Sequence, residues 1–260
     1  LLANPLMPAP TLTARVLGSS PPPDAAASAF DKSSSAYSHA DNASRGAPWM
    51  TGHPAYGSMP PPPPAQFGGP YPTWSAPGPA ASAQPRFILG AMHAQGQGGP
   101  QDYAAARRWF GLAADQGDAK AQCNLGIMHD QGLGGPQDYA AARRWFGLAA
   151  DQGDADAQFA LGLMHREGQG GPQDYVEARR WYGLAADQGY AQAQCDLGVM
   201  HDQGQGGPQD YAAARRWIGL AADQGHAQAQ YNLGSMHYQG LGGPQDYAAA
   251  RRLYGLAVDQ

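Results

Sequence analysis

The chain has 260 residues, a formal net charge of −5 and only 14% charged residues. An acidic balance disfavours a phosphate-backbone partner, so nucleic-acid binding starts at a disadvantage. No run approaches the ~20 apolar residues of a transmembrane helix, so no membrane span is expected.

Residues 1–84 are rich in Pro, Ser, Ala and Gly, and their charges cancel: Arg15, Lys32 and Arg45 against Asp24, Asp31 and Asp41. The acidic excess therefore belongs to residues 85–260. Pro21–Pro23 and Pro60–Pro64 have fixed φ and no amide donors, which favours polyproline II over helix or sheet. With little apolar side chain to offset ordering entropy, 1–84 reads as a disordered tail. Pro60–Pro64 reads as a stiff spacer. The other reading is a ligand for a proline-recognition domain, flanked by Tyr56, Phe67, Tyr71 and Trp74. The first eight residues are broken by prolines and lack a basic n-region, so they do not read as a signal peptide. The sequence stops at Gln260, one residue short of the turn glycine of other copies, and a fragment of a longer chain is expected.

From residue 85 onward one pattern recurs. The stretch over residues 98–117 returns nearly unchanged from Gly134, Gly170, Gly206 and Gly242, and Leu89, Leu125, Leu161, Leu197 and Leu233 stand 36 residues apart. A fixed period between 20 and 50 residues marks a stacked array. The repeats are placed at about 85–120, 121–156, 157–192, 193–228 and 229–260.

Within the second copy, Asp118 caps a helix N-terminus, and Ala121, Leu125 and Met128 share a helical face. The run Gly132 to Gln137 breaks this helix A. Asp138 then caps helix B, whose apolar face carries Tyr139, Ala142, Trp145, Phe146 and Ala149, and Gly153 ends it. At the start of the array Pro85 is tolerable in a first helical turn. One such pair cannot bury its apolar face, whereas five stacked copies can. Gly126 costs roughly 1 kcal/mol relative to Ala in a helix, so a close approach is expected there, with Trp109, Trp145, Trp181 and Trp217 as partners and Leu253 in the fifth copy. Asp115, Asp151, Asp187 and Asp223 sit near the ends of helix B, where an acid opposes the helix dipole; a contact to an arginine of a neighbouring repeat is expected.

These residues resemble the Sel-one-like repeat (SLR, or HCP-like) family, a relative of the tetratricopeptide repeats. The likeness rests on the alanine-rich entry, the Leu-Gly pair, the Gly-x-Gly loop, the Asp-Tyr-x-x-Ala-x-x-Trp-Phe/Tyr segment and the Leu-Ala-Ala-Asp-Gln-Gly exit, over residues 85–260. The fold is thus expected to be all-α, and the resemblance implies a right-handed α-solenoid of five 36-residue helix-turn-helix repeats acting as an adaptor or scaffold. The chain departs from the family at Gly135, where valine is usual, at His129, where tyrosine is common, and at Gly147, which is often basic. These departures are expected to loosen the packing.

Candidate chemistry is sparse. His93, His129, His165, His201 and His237 form a ladder, but ligand nitrogens must lie ~2.0–2.1 Å from a shared metal, and histidines one repeat apart are about 10 Å apart given helix packing distances. A structural role is expected, with no metal and no cofactor. By the same spacing Cys123 and Cys195 are about 20 Å apart, beyond disulfide reach. Free thiols and the lack of a signal peptide favour a cytoplasmic setting. The arginine pairs from Arg107-Arg108 to Arg251-Arg252 read as a solvated helix B face paired to the aspartates. A phosphate-binding stripe or an RNA-reading repeat of the pentatricopeptide type is disfavoured by the acidic array. A subset of the resembling family with paired cysteines is linked to β-lactam binding; those pairs are missing here, and no Ser-x-x-Lys, Gly-x-Ser-x-Gly or His-Glu-x-x-His pattern occurs. No catalytic residue is assigned.

The copies differ from one another mainly in helix A, at Lys120, Cys123, Asn124, Ile127, Asp130 and their equivalents, which fall within an arc of roughly 120°. The resemblance implies that helix A lines a concave groove. A partner peptide or helix is accordingly expected against Ile127, Asp130, Phe159, Leu163, Arg166, Cys195, Val199, Asp202, Tyr231 and Tyr238. The competing reading makes this arc a seam between successive A helices.

Overall fold

A computed structural model describes residues 83–258. The expected disordered tail, with Pro60–Pro64, lies outside the described residues except for Ala83 and Gln84, which already belong to the first helix. Ten α-helices and no strand occur among the described residues. The A helices are α1 (Ala83–Gln95), α3 (Ala119–Gln131), α5 (Ala155–Glu167), α7 (Ala191–Gln203) and α9 (Ala227–Gln239). The B helices are α2 (Tyr103–Ala114), α4 (Tyr139–Asp151), α6 (Tyr175–Asp187), α8 (Tyr211–Asp223) and α10 (Tyr247–Val258). Helices consecutive in sequence pack together throughout, so the five hairpins stack as a solenoid.

Short-range chemistry sets the ends of the helices. Asp118 accepts from the Ala121 amide at 2.8 Å and Asp138 from the Ala141 amide at 2.9 Å, which satisfies orphan donors of the first turn. Helix α3 stops at Gly132 in the left-handed region (φ 69°), where its amide donates to the Met128 carbonyl. The loop then folds back, and the Asp138 amide donates to the His129 carbonyl at 2.9 Å. In the last two repeats the cap position carries Tyr190, which makes no side-chain cap, and His226, whose Nδ1 accepts from the Ala229 amide at 3.2 Å.

The core lies between hairpins as well as within them. One cluster joins Ala142, Phe146 and Ala149 of α4 to Ala157, Leu161 and Met164 of α5, closed by Trp181 of α6. The next joins α6 to α7, with Trp217 of α8 packed against it. Each tryptophan thus covers the preceding repeat. The close approach to Gly126 comes instead from the adjacent aromatic: a Cβ there would sit 2.8 Å from the Phe146 ring. Gly90 meets Phe110, Gly162 meets Tyr182, Gly198 meets Ile218 and Gly234 meets Tyr254 in the same way. The expected tryptophan partners are therefore wrong by one position. The residue that points into its own hairpin fills the notch left by glycine, and its neighbour, about 100° around the helix, is free to reach the preceding hairpin.

A buried glutamine ladder adds polar links between repeats. Gln122 Nε2 donates to the Ala114 carbonyl of the preceding B helix at 3.1 Å, and Gln122 Oε1 accepts from Gln152 at 2.7 Å. Gln158 and Gln194 repeat the arrangement. Both ends of each buried amide are satisfied, which avoids the ~1–3 kcal/mol cost of an unmade buried hydrogen bond.

Candidate interaction surface

Two side-chain systems join successive repeats, one invariant along the chain and one variable. The invariant system pairs the first arginine of each Arg-Arg step with the histidine of the following repeat. Arg107 Nη2 lies 2.7 Å from His129 Nδ1, and Arg143–His165, Arg179–His201 and Arg215–His237 repeat this at 2.6–2.7 Å. A guanidinium can only donate, so a ring nitrogen of the histidine accepts and the imidazole is neutral. Burial, then the facing arginine, pushes each of these four histidines below its ordinary pKa.

The same guanidinium explains two of the family departures. A Cβ at Gly135 would collide with Arg107 Nη1, which also reaches the Pro136 carbonyl at 3.4 Å. Glycine in the loop makes room for the arginine, and histidine supplies its acceptor. These two departures leave no gap there; they form one contact. Pairing of the arginines to the aspartates does not hold either. Asp115, Asp151, Asp187 and Asp223 are exposed, and none takes part in an ion pair among the described residues. The second arginine of the step lies along its own helix instead: Arg144, Arg180 and Arg216 stack on Trp145, Trp181 and Trp217 at 4.1–5.2 Å.

The variable system is the arc of helix A, and the structure divides its members between a seam and the surface. Cys195 is 2% exposed and its thiol accepts from Asn232 Nδ2 of the next repeat at 3.8 Å. Val199 and Cys123 are buried as well, and burial raises both thiol pKa values. Phe159 lies between two rings, 5.2 Å from Tyr190 and 5.5 Å from Tyr182. Arg166 is held by Asp196 at 3.4 Å and Glu167 at 3.5 Å. Of the expected contact residues, Cys195 and Val199 are thus buried, and Phe159 and Arg166 are engaged by side chains of their own and the next repeat. Ile127 and Leu163 are half-buried against the core clusters, and Asp130 and Asp202 are half-buried at the edge. Tyr231 and Tyr238 are 47% and 55% exposed. They lean on Tyr254 and Tyr247 of α10 at 5.5 and 5.3 Å.

A polar chain that the sequence did not announce runs through the same seam. Asp196 Oδ2 accepts from Gln192 at 3.2 Å, and Gln192 Oε1 accepts from His226 Nε2 at 2.6 Å. Arg166 thereby connects to the fifth repeat through α7. Burial raises the Asp196 pKa, and Arg166 opposes that shift. The pattern is unique to these copies, so periodicity carried no signal for it. Among the described residues there is no cluster of three or more metal-ligating side chains, and no helix is long and apolar enough to cross a membrane.

The family model for the Sel1 repeat matches residues 86–118, 119–154, 155–190, 191–226 and 227–260. No curated protein matches the chain. Among solved structures, a protective antigen of uropathogenic Escherichia coli with an SLR fold is 38% identical at a TM-score of 0.67. That match covers 68% of this chain, which spans 38% of the antigen's length. A Sel1 repeat protein from Oxalobacter formigenes is 31% identical at a TM-score of 0.65, over 68% of this chain and 71% of the other.

Proposed function

The chain belongs to the Sel1 repeat family, whose repeats typically serve as scaffolds for protein–protein interaction, and we propose that this array is a non-catalytic scaffold that takes a partner segment along its A helices. The observation that carries the reading is the contrast between fixed and variable positions. The glycine notch, filled by an aromatic in four copies and by Ile218 in the other, the glutamine ladder and the Arg–His contact recur along the array and hold the frame. Variation is concentrated on helix A, and there Ile127, Asp130, Leu163, Asp202, Tyr231 and Tyr238 retain access to solvent. A rigid frame carrying a variable, partly apolar row suits recognition of an extended or helical segment. The thiols of Cys123 and Cys195 are buried and held protonated, which argues against the β-lactam-type alternative.

The test is selection of binding peptides against the full chain, followed by affinity measurement on the Tyr231→Ala/Tyr238→Ala variant. Exposed tyrosines that anchor a ligand contribute about 2 kcal/mol or more, so a loss of roughly 30-fold is expected. Unchanged affinity in a folded variant would move the site elsewhere on the array.

A further inference from the structure

We infer that this chain pairs with a second copy of itself through the outward ridge of its B helices. Leu112, Leu148, Leu184, Leu220 and Leu256 are 40–47% exposed, at the same position of every repeat. In α4 the ridge runs Arg144, Leu148, Asp151. With 3.6 residues per turn the three lie within an arc of about 60°, and the arginine and the aspartate stand about 6 and 4.5 Å to either side of the leucine along the helix. Stacking the repeats turns this into three parallel rows: basic, apolar, acidic.

The arginines stack on their neighbouring tryptophans, and Arg180 also pairs with Glu177 at 3.1 Å, but the leucine and aspartate rows have no explanation inside the chain. The aspartates oppose the helix dipole, and no ion pair reaches them among the described residues. Beside each leucine stands a glycine, from Gly111 to Gly255, around which a Cβ would meet nothing within 4 Å. These glycines weaken the helix without making room for any contact within the chain. An approaching helix from outside would use that space.

The order of the rows selects the occupant. Two copies facing each other across a twofold axis parallel to the array keep repeat against matching repeat and reverse the direction of the B helices. Leucine row then meets leucine row, and each arginine row lies over the partner's aspartate row. A twofold across the array would set arginine on arginine and is excluded by repulsion. A self-complementary patch of this kind is what an isologous dimer requires. The surface is distinct from the helix A row of the proposed function, so the dimer leaves that row open.

Sedimentation velocity of the full chain over a concentration series tests this. The native chain is expected to sediment as a dimer at the upper concentrations. Leu148→Glu/Leu184→Glu/Leu220→Glu should sediment as a monomer with unchanged helical circular dichroism, since all three side chains are exposed. Arg144→Glu/Arg216→Glu should also be monomeric, and adding Asp151→Arg/Asp223→Arg should restore the dimer by exchanging both charges in those two repeats. A native chain that stays monomeric, a dimer that survives the leucine replacements, or a folded fourfold charge variant that stays monomeric would each overturn the inference. Adsorption of a monomeric native chain to phosphatidylcholine vesicles, lost in the leucine variant, would assign the ridge to lipid instead.

Discussion

Arg107 Nη2 lies 2.7 Å from His129 Nδ1, across 22 residues and from one repeat to the next. The contact exists because Gly135 leaves the guanidinium its place. Its three equivalents make the same bridge at each following junction. Replacing Arg143 with Met removes a charge-assisted hydrogen bond and leaves a vacancy at Gly171. A loss of about 1–2 kcal/mol is expected, read from the urea midpoint of the full chain. An unchanged midpoint would show that the arginine merely lies against the loop.

The bridge requires neutral histidine, which makes stability depend on pH. His129, His165, His201 and His237 have folded pKa values below the unfolded value of about 6.5. The unfolded chain therefore binds more protons below that pH. Their contribution is fully present above about pH 6.5 and is lost as pH falls toward the folded values. Asp154, Asp196 and Asp202 are shifted upward and act in the opposite sense at acid pH. The histidine part is isolated by comparing urea midpoints at neutral and mildly acidic pH for the native chain and a His129→Gln/His165→Gln variant. The native chain should lose more on acidification; equal slopes would remove the histidines from the account.

Two glycines of one repeat should respond in opposite directions to alanine. At Gly126 a Cβ would press on the Phe146 ring at 2.8 Å, and overpacking costs about 1–3 kcal/mol. At Gly147 a Cβ meets nothing within 4 Å, so Ala should raise stability by about 1 kcal/mol through helix propensity. Thermal unfolding at low protein concentration, where monomer dominates, reads both; two shifts of the same sign would contradict the packing described.

Phe159 and Tyr231 occupy equivalent positions and should behave differently. Phe159 is held between Tyr182 and Tyr190, so Ala there should cost about 2–4 kcal/mol. Tyr231 is 47% exposed, and Ala there should cost less than about 1 kcal/mol. Denaturation of the two single variants decides between them. Similar large losses would place Tyr231 in the core and remove it from the binding row.

The sequence by itself determined the period, the helix pairs, the caps at Asp118 and Asp138 and the stop at Gly132, because each depends on residues within a few positions of one another. It also marked the Gly126 notch, since a glycine recurring inside a helix calls for a close neighbour. Only the tertiary structure decided which neighbour. Trp145 and Phe146 are adjacent and both apolar, and the packing angle of two helices sends one inward and the tryptophan position to the preceding repeat. The arc of helix A was legible as variable, but a helical wheel shows direction without showing what lies beyond it. Stacking covers Cys195 and Val199 and leaves Tyr231 and Tyr238 exposed. The Arg–His bridge was hidden for the same reason. Its partners stand 22 residues apart, outside both the helical spacing and the 36-residue period, and they meet only where one hairpin rests on the next.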